Sequence, residues 1–397
     1  MKRITTSRNG RGFLRISLLF SAVFLLVFTA CFPSHPQSTF DAAGPVAKSQ
    51  LNLFYIIFWT AVFVFVVVEG ILLYVAIRFR RKKGSNEIPK QTHGNTLLEI
   101  AWTIAPAVVL VVVAVPTVIT IFDNATPPSH ENAINVKVTA HQWWWTFDYF
   151  EKIELDLETK DMKRFRNGEI TLKDVYKAKP YLTTANEMNV PVGVPVSLVL
   201  ESNDVIHSFW IPKLAGKVDI VPQNRNTMWF QADRIDANPE TSAIDPYMGQ
   251  CAEFCGLSHA LMKVRVWVHK QDDFDRWVKV QQGFSVEPST DKEKAGREVF
   301  VIQQCWACHT LTDKTHPILS GARAMKGPNL THFGGRSTIA AGILDNSDED
   351  LRNWLKDPLK IKPGNIMGME GSMFQGGIAK MTDQEIEELV AYLRILS

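Results

Sequence analysis

Cys251-Ala252-Glu253-Phe254-Cys255-Gly256-Leu257-Ser258-His259-Ala260-Leu261-Met262 gathers two thiols, an imidazole and a thioether in one short segment. Cys251 and Cys255, four residues apart, can bridge a pair of metal ions; His259 adds a nitrogen donor and Met262 a weak, soft axial sulfur. Soft sulfur and nitrogen donors favour copper over hard cations. A second imidazole is needed to balance such a site. His207, in Asp204-Val205-Ile206-His207-Ser208-Phe209 at the end of a strand-like run, is the candidate. The same spacing with one distant histidine also suits a tetrahedral zinc site. In an oxidising compartment the two thiols could instead close a disulfide.

The chain has 5 cysteines. Cys305 and Cys308 stand in Cys305-Trp306-Ala307-Cys308-His309, the pattern for covalent attachment of a c-type haem, with His309 as proximal iron ligand. A distal methionine would raise the potential through its soft sulfur. Met325, Met367, Met369, Met373 and Met381 follow the motif. With Cys31 accounted for at the end of an N-terminal apolar run, no cysteine is left for a structural disulfide. Two one-electron centres on one chain imply electron transfer.

Residues 16–30 are apolar and follow Lys2, Arg3, Arg8, Arg11 and Arg15. Basic residues before a short apolar run make a secretory signal. Phe28-Thr29-Ala30-Cys31 resembles a lipoprotein cleavage site, so residues 1–30 are expected to be removed and Cys31 to become the new, lipidated N-terminus. Residues 53–77 and 100–122 are each long and apolar enough to cross a bilayer. Arg78-Phe79-Arg80-Arg81-Lys82-Lys83 between them places the connection on the cytoplasmic side. Everything after about Phe122 then lies on the periplasmic or extracellular face of a bacterial cytoplasmic membrane. The net charge of +2 gives no sign of a nucleic-acid partner.

Beyond the membrane the period changes. Residues 136–149, 194–200, 226–232 and 262–269 are rich in β-branched and aromatic residues, and Val264, Val266 and Val268 alternate cleanly. An antiparallel β-barrel or sandwich is expected, with the charged stretch 151–187 as an insertion in a hairpin loop. Residues 283–292 read as a linker to a helical unit. Ser347 is expected to cap a helix over 347–356, and Thr382 with Glu385 forms a capping box.

The two-helix hairpin, His141-Gln142-Trp143-Trp144-Trp145, Asp204-Val205-Ile206-His207-Ser208-Phe209 and the 251–262 loop together resemble subunit II of haem-copper cytochrome c oxidase over about residues 50–270. The C-terminal unit resembles the cytochrome c domains fused to that subunit. The resemblance implies three parts: a transmembrane helical hairpin over 50–124, a cupredoxin-like Greek-key β-barrel over 133–282, and a small all-α cytochrome c domain over 292–397. It implies a dinuclear copper centre, CuA, bridged by Cys251 and Cys255. His207 with Met262 would complete one copper, and His259 with the Glu253 carbonyl the other. The Glu253 side chain would bind a magnesium ion shared with the catalytic subunit. Trp143 would admit electrons, and Glu99 would stand at the entrance of a proton path. Lys362-Pro363-Gly364-Asn365-Ile366-Met367 resembles the segment carrying the distal haem ligand, favouring Met367, although Gly368 replaces the usual proline and leaves Met369 and Met373 as competitors. Pro222-Gln223-Asn224-Arg225 departs from the usual Pro-Gly-Arg turn.

The expected function is to pass electrons from an external donor through haem c and CuA to a membrane-bound catalytic subunit I that reduces oxygen. The equivalent subunit of a nitric oxide reductase is the alternative, because the terminal acceptor is chosen elsewhere. A copper-delivery protein would leave the haem motif and Met262 unexplained.

Overall fold

The structure is a computed structural model and describes residues 35–81, 84, 88, 91, 93–125, 133–151, 179–236, 243–319, 326–374 and 380–397. The signal-like run, Cys31, Met325 and most of the charged insertion lie outside these residues.

Two apolar helices, α1 (Pro45–Arg78) and α2 (Thr96–Ala125), pack side by side, each with a mean hydropathy of 2.6 in its most apolar stretch. At 1.5 Å per residue α1 is about 51 Å long, well beyond the ~30 Å hydrocarbon layer. Its excess length serves as a mount. Val46 and Ala47 are buried, and the Ala43 and Ala47 amides donate to Lys213 O (2.7 Å) and Leu214 O (3.2 Å). A Cβ at Gly44 would stand 1.9 Å from Gln231 O, so only glycine fits this approach. At the far end of α2, the Trp229 indole donates to Asn124 O at 3.1 Å and Ser49 Oγ meets Asn124 Oδ1 at 2.9 Å. Both outer ends of the hairpin therefore plug into one β-domain.

That domain has two five-stranded sheets. One has the order β3-β2-β1-β5-β8, from β1 (Ile134–His141), β2 (Trp144–Phe150), β3 (Leu182–Ala185), β5 (Val196–Ser202) and β8 (Asn226–Phe230). The other has the order β4-β10-β9-β6-β7, from β4 (Glu187–Pro191), β6 (His207–Trp210), β7 (Val218–Ile220), β9 (Tyr247–Cys251) and β10 (Lys263–His269). Trp145, Phe147, Tyr149, Phe209 and Phe230 fill the space between them.

The structure corrects three expectations. The run 136–149 is two strands, broken at Gln142-Trp143. The sheets are mixed, because β1 runs parallel to β5 and β10 parallel to β4. The insertion cannot extend to residue 187: β3 and the start of β4 are paired and largely buried, with Leu182 and Ala185 in the core.

Helix α3 (Gln271–Gln281) closes one end of the barrel through Phe274 and Trp277. The C-terminal unit contains α4 (Asp291–Ile302), the ribbon β11 (Thr338–Ile339) and β12 (Leu344–Asp345), α5 (Asp348–Lys356), α6 (Pro358–Ile361), α7 (Ile366–Glu370) and α8 (Asp383–Ile395). Thr290 with Glu293 and Thr382 with Glu385 form reciprocal capping boxes, and Ser347 caps α5. Helices α4 and α8 cross at Gly296, where a Cβ would lie 2.0 Å from Glu388 O.

Candidate electron-transfer site

Strand β9 ends at Cys251 and the adjacent β6 begins at His207; Phe209 pairs with Cys251, which sets the two residues side by side. The tight turn after Cys251 returns Cys255 to the same pocket, so the thiol sulfurs lie 3.7 Å apart. A disulfide needs about 2.05 Å, and these cysteines are free. His207 Nδ1 is 3.8 Å from Cys251 Sγ, and His259 Nδ1 is 3.6 Å from Cys255 Sγ. The Glu253 carbonyl lies 3.2 Å from Cys251 Sγ. Met262 is fully buried in the same cluster. Five of the six residues expected around the metals thus meet at the two thiols, although their sequence positions span more than fifty residues; Met262 adjoins them through its carbonyl, which accepts from the Cys251 amide at 2.9 Å.

His207 is oriented from behind. Its Nε2 pairs with Asp204 Oδ1 at 2.8 Å, which leaves Nδ1 directed at the sulfur. Burial alone would lower its pKa, but the Asp204 and Cys251 bonds outweigh burial and raise it. The hydrogen bond between the two thiols lowers the pKa of Cys251, and the same bond, with burial, raises that of Cys255. Thiolates are the metal-binding form, so metal loading releases the thiol protons. A largely buried donor set of soft sulfur and nitrogen fits copper. The half-buried Glu253 carboxylate has no hydrogen-bond partner among the described residues.

The C-terminal unit holds a cavity lined by Cys305, Cys308, His309, Met367 and Met373, with Leu330, Phe333, Trp354 and Leu393 as apolar walls. His309 Nδ1 lies 2.8 Å from Pro328 O; a carbonyl only accepts, so Nδ1 carries the hydrogen and Nε2 keeps its lone pair for a metal. Gly327 packs on this ring, since a Cβ there would come within 2.6 Å of His309 Cε1. Cysteines, imidazole, thioether and apolar walls fit a haem. Met369, expected as a competitor, is 54% exposed, whereas Met373 is buried.

The two sites share a wall. Gln142, Trp143 and Trp144 from the β-domain also line the haem-type cavity. The Trp143 indole N–H donates to Cys255 O at 2.9 Å, beside a 2.7 Å bond from Gln142 Nε2 to the same oxygen. Sequence reasoning did not single out Gln142, nor Lys362, whose Nζ donates to Trp143 O at 2.6 Å. Burial lowers the pKa of Lys362 to about 7. Nothing in the spacing of a lysine in Lys-Pro-Gly signals that it is buried. Glu99 lies apart from all of this, in the first turn of α2, where its exposed carboxylate accepts from the Asn95 amide at 3.3 Å.

Residues 134–268 match the family "Cytochrome C oxidase subunit II, periplasmic domain", residues 33–119 its transmembrane domain, and residues 293–397 "Cytochrome c". A protein named "Cytochrome c oxidase subunit 2" from Alkalihalophilus pseudofirmus is 35% identical over 378 residues, covering 94% of this chain and 95% of that protein. Proteins of the same name from Bacillus subtilis (33%, covering 96% and 97%) and Bacillus sp. strain PS3 (37%, covering 90% and 91%) are similar along nearly their whole length. The chain belongs to the cytochrome c oxidase subunit II family, as a membrane-anchored, copper- and haem-carrying component of an oxidoreductase complex, with a cytochrome c domain at its C-terminal end.

Proposed function

We propose that this subunit takes electrons from an external donor at its cytochrome c domain, passes them to a dicopper CuA site, and delivers them to subunit I, where oxygen is reduced to water. The observation that carries the reading is Trp143: one indole lines the haem-type cavity and donates to the carbonyl of the copper-site residue Cys255. When bound, a covalent haem c and a copper pair each accept and release single electrons. Cys305, Cys308, His309 and Met367 would hold the haem. Cys251, Cys255, His207, Met262, His259 and the Glu253 carbonyl would hold the coppers. Glu253, whose carboxylate has no hydrogen-bond partner among the described residues, would hold a magnesium ion facing subunit I. Asp204 and Pro328 O keep the two histidines in ligating orientation.

The exposed apolar flanks of α1 and α2 suit lipid and the helices of subunit I, and Phe254, 74% exposed beside His259, suits coverage by the same partner. Glu99 would stand at the entrance of the proton path on the cytoplasmic side. In this reading the copper and haem domains lie on the periplasmic or extracellular face of a bacterial cytoplasmic membrane.

Cys255→Ser in the assembled enzyme tests the order of transfer. A hydroxyl is too hard and too weakly acidic to hold two coppers. Rapid donor reduction of the haem domain with nearly abolished oxygen consumption is expected. Oxygen turnover near wild type would show that electrons bypass the copper.

A further inference from the structure

Lys362 is 3% exposed, and its Nζ donates to two carbonyls in different domains: Trp143 O at 2.6 Å and Ala340 O at 2.9 Å. Burying an amine is costly unless its donors are used. Here both partners are neutral, so the side chain is not half of an ion pair. Charged or neutral, it has N–H bonds enough for both. Trp143 is therefore held at three points. Its indole N–H is bonded to Cys255 O, its ring rests where a Cβ on Gly364 would come within 3.0 Å, and its carbonyl is tied through Lys362 to the haem-domain loop at Ala340. A second bond joins the copper loop to the same segment without touching Trp143: Ser258 Oγ donates to Pro363 O at 2.6 Å.

We propose that Lys362 is a positioning residue for electron exchange between the two domains, because it clamps the Trp143 peptide to the haem-domain loop and so holds the indole against both the copper loop and the haem cavity. The proposal rests on the electron path described under Proposed function. That exchange moves one electron, oxidising the haem side and reducing the copper side by one each. No bond changes and no proton moves at Lys362.

The test uses the assembled enzyme in detergent, with Lys362→Met, Lys362→Arg and Ser258→Ala. Haem and copper content and haem potential are measured, then electron equilibration between the sites after rapid reduction of the haem domain, and amide hydrogen exchange over residues 142–146 and 338–342. Lys362→Met should keep both cofactors and the potential, yet slow equilibration on the order of tenfold, since small misplacements of a positioned group are costly. Both peptide segments should exchange faster. Lys362→Arg should recover much of the rate, and Ser258→Ala, which leaves the clamp intact, should stay within about twofold of wild type. If Lys362→Met does not assemble, Lys362→Gln, too short to reach both carbonyls, is measured instead with the same expectation. A wild-type equilibration rate in Lys362→Met or Lys362→Gln overturns the proposal, as does an equal loss in Ser258→Ala. Absence of haem-to-copper transfer in the wild-type enzyme would instead overturn the underlying electron path.

Discussion

Met367 and Met373 both line the haem-type cavity, and Met367 also packs on the core of that domain, so the two compete for the distal position, while Met369 is turned to solvent. Met367→Ala should abolish the sulfur–iron absorption feature and lower the potential while the covalent haem persists; Met369→Ala should change neither. Loss of the feature in Met373→Ala alone would move the ligand to that residue. His141 gives a pH prediction. Stacked 4.1 Å from Trp144 and bonded to Thr146 Oγ1, it has its pKa lowered by burial to about 4. Because the folded value lies below the unfolded one, its contribution to stability is complete above about pH 6.5 and is lost as pH falls toward 4, to a limit of roughly 3 kcal/mol. His141→Gln should flatten the unfolding midpoint measured by copper-site absorbance between those pH values; an unchanged slope would assign the acid sensitivity to other groups. The candidate metal and haem residues stood out in the sequence because such chemistry demands particular residue types at particular spacings. Lys362 and Gln142 were not, because their partners are backbone carbonyls supplied by distant segments.

Among elements, the helices that start after Ser347 and Thr382 were readable because capping is local: each of these side chains engages an amide three residues on. Their packing is not local. Gly296 carries no sequence signal of its own, yet α4 and α8 meet so closely there that a Cβ would overlap the Glu388 carbonyl. Gly296→Ala should force the helices apart and cost about 2 kcal/mol, read as a drop of several degrees in the thermal midpoint of the haem spectrum. An unchanged midpoint would mean that the crossing relaxes freely. The β-domain was harder to read for the same reason. Residues 136–149 have no glycine or proline to mark the hairpin tip at Gln142-Trp143. The parallel neighbours β1–β5 and β4–β10 are joined only after long stretches of chain, so no local pattern reveals them. Leu182–Ala185 follows a long polar stretch and reads as its tail until Phe147 and Thr184 are seen in register.

At the scale of the molecule, the haem and copper domains meet through short hydrogen bonds to largely buried groups. The Glu187 carboxylate, 7% exposed, accepts from the Ser337 amide (3.0 Å) and hydroxyl (2.6 Å) and from the Thr338 amide (2.9 Å) and hydroxyl (3.0 Å). Arg265 donates to Gly342 O at 2.9 Å, and the Lys263 amide to Ala341 O at 3.0 Å. Contacts of this type are little screened by salt, whereas an encounter between an external donor and the haem domain is steered by exposed charge. Raising ionic strength from about 0.01 M to about 1 M shortens the Debye length from ~30 Å to ~3 Å. Across that range the bimolecular reduction of the haem domain by a charged donor should change by an order of magnitude or more, while equilibration between the haem and copper sites should stay within about twofold because its interface is already formed. Stopped-flow traces at two wavelengths separate the steps. An internal step that slows with salt as steeply as the first would mean that the docked arrangement is not the one that transfers electrons, and that the linker carries the haem domain to its partner anew in each turnover.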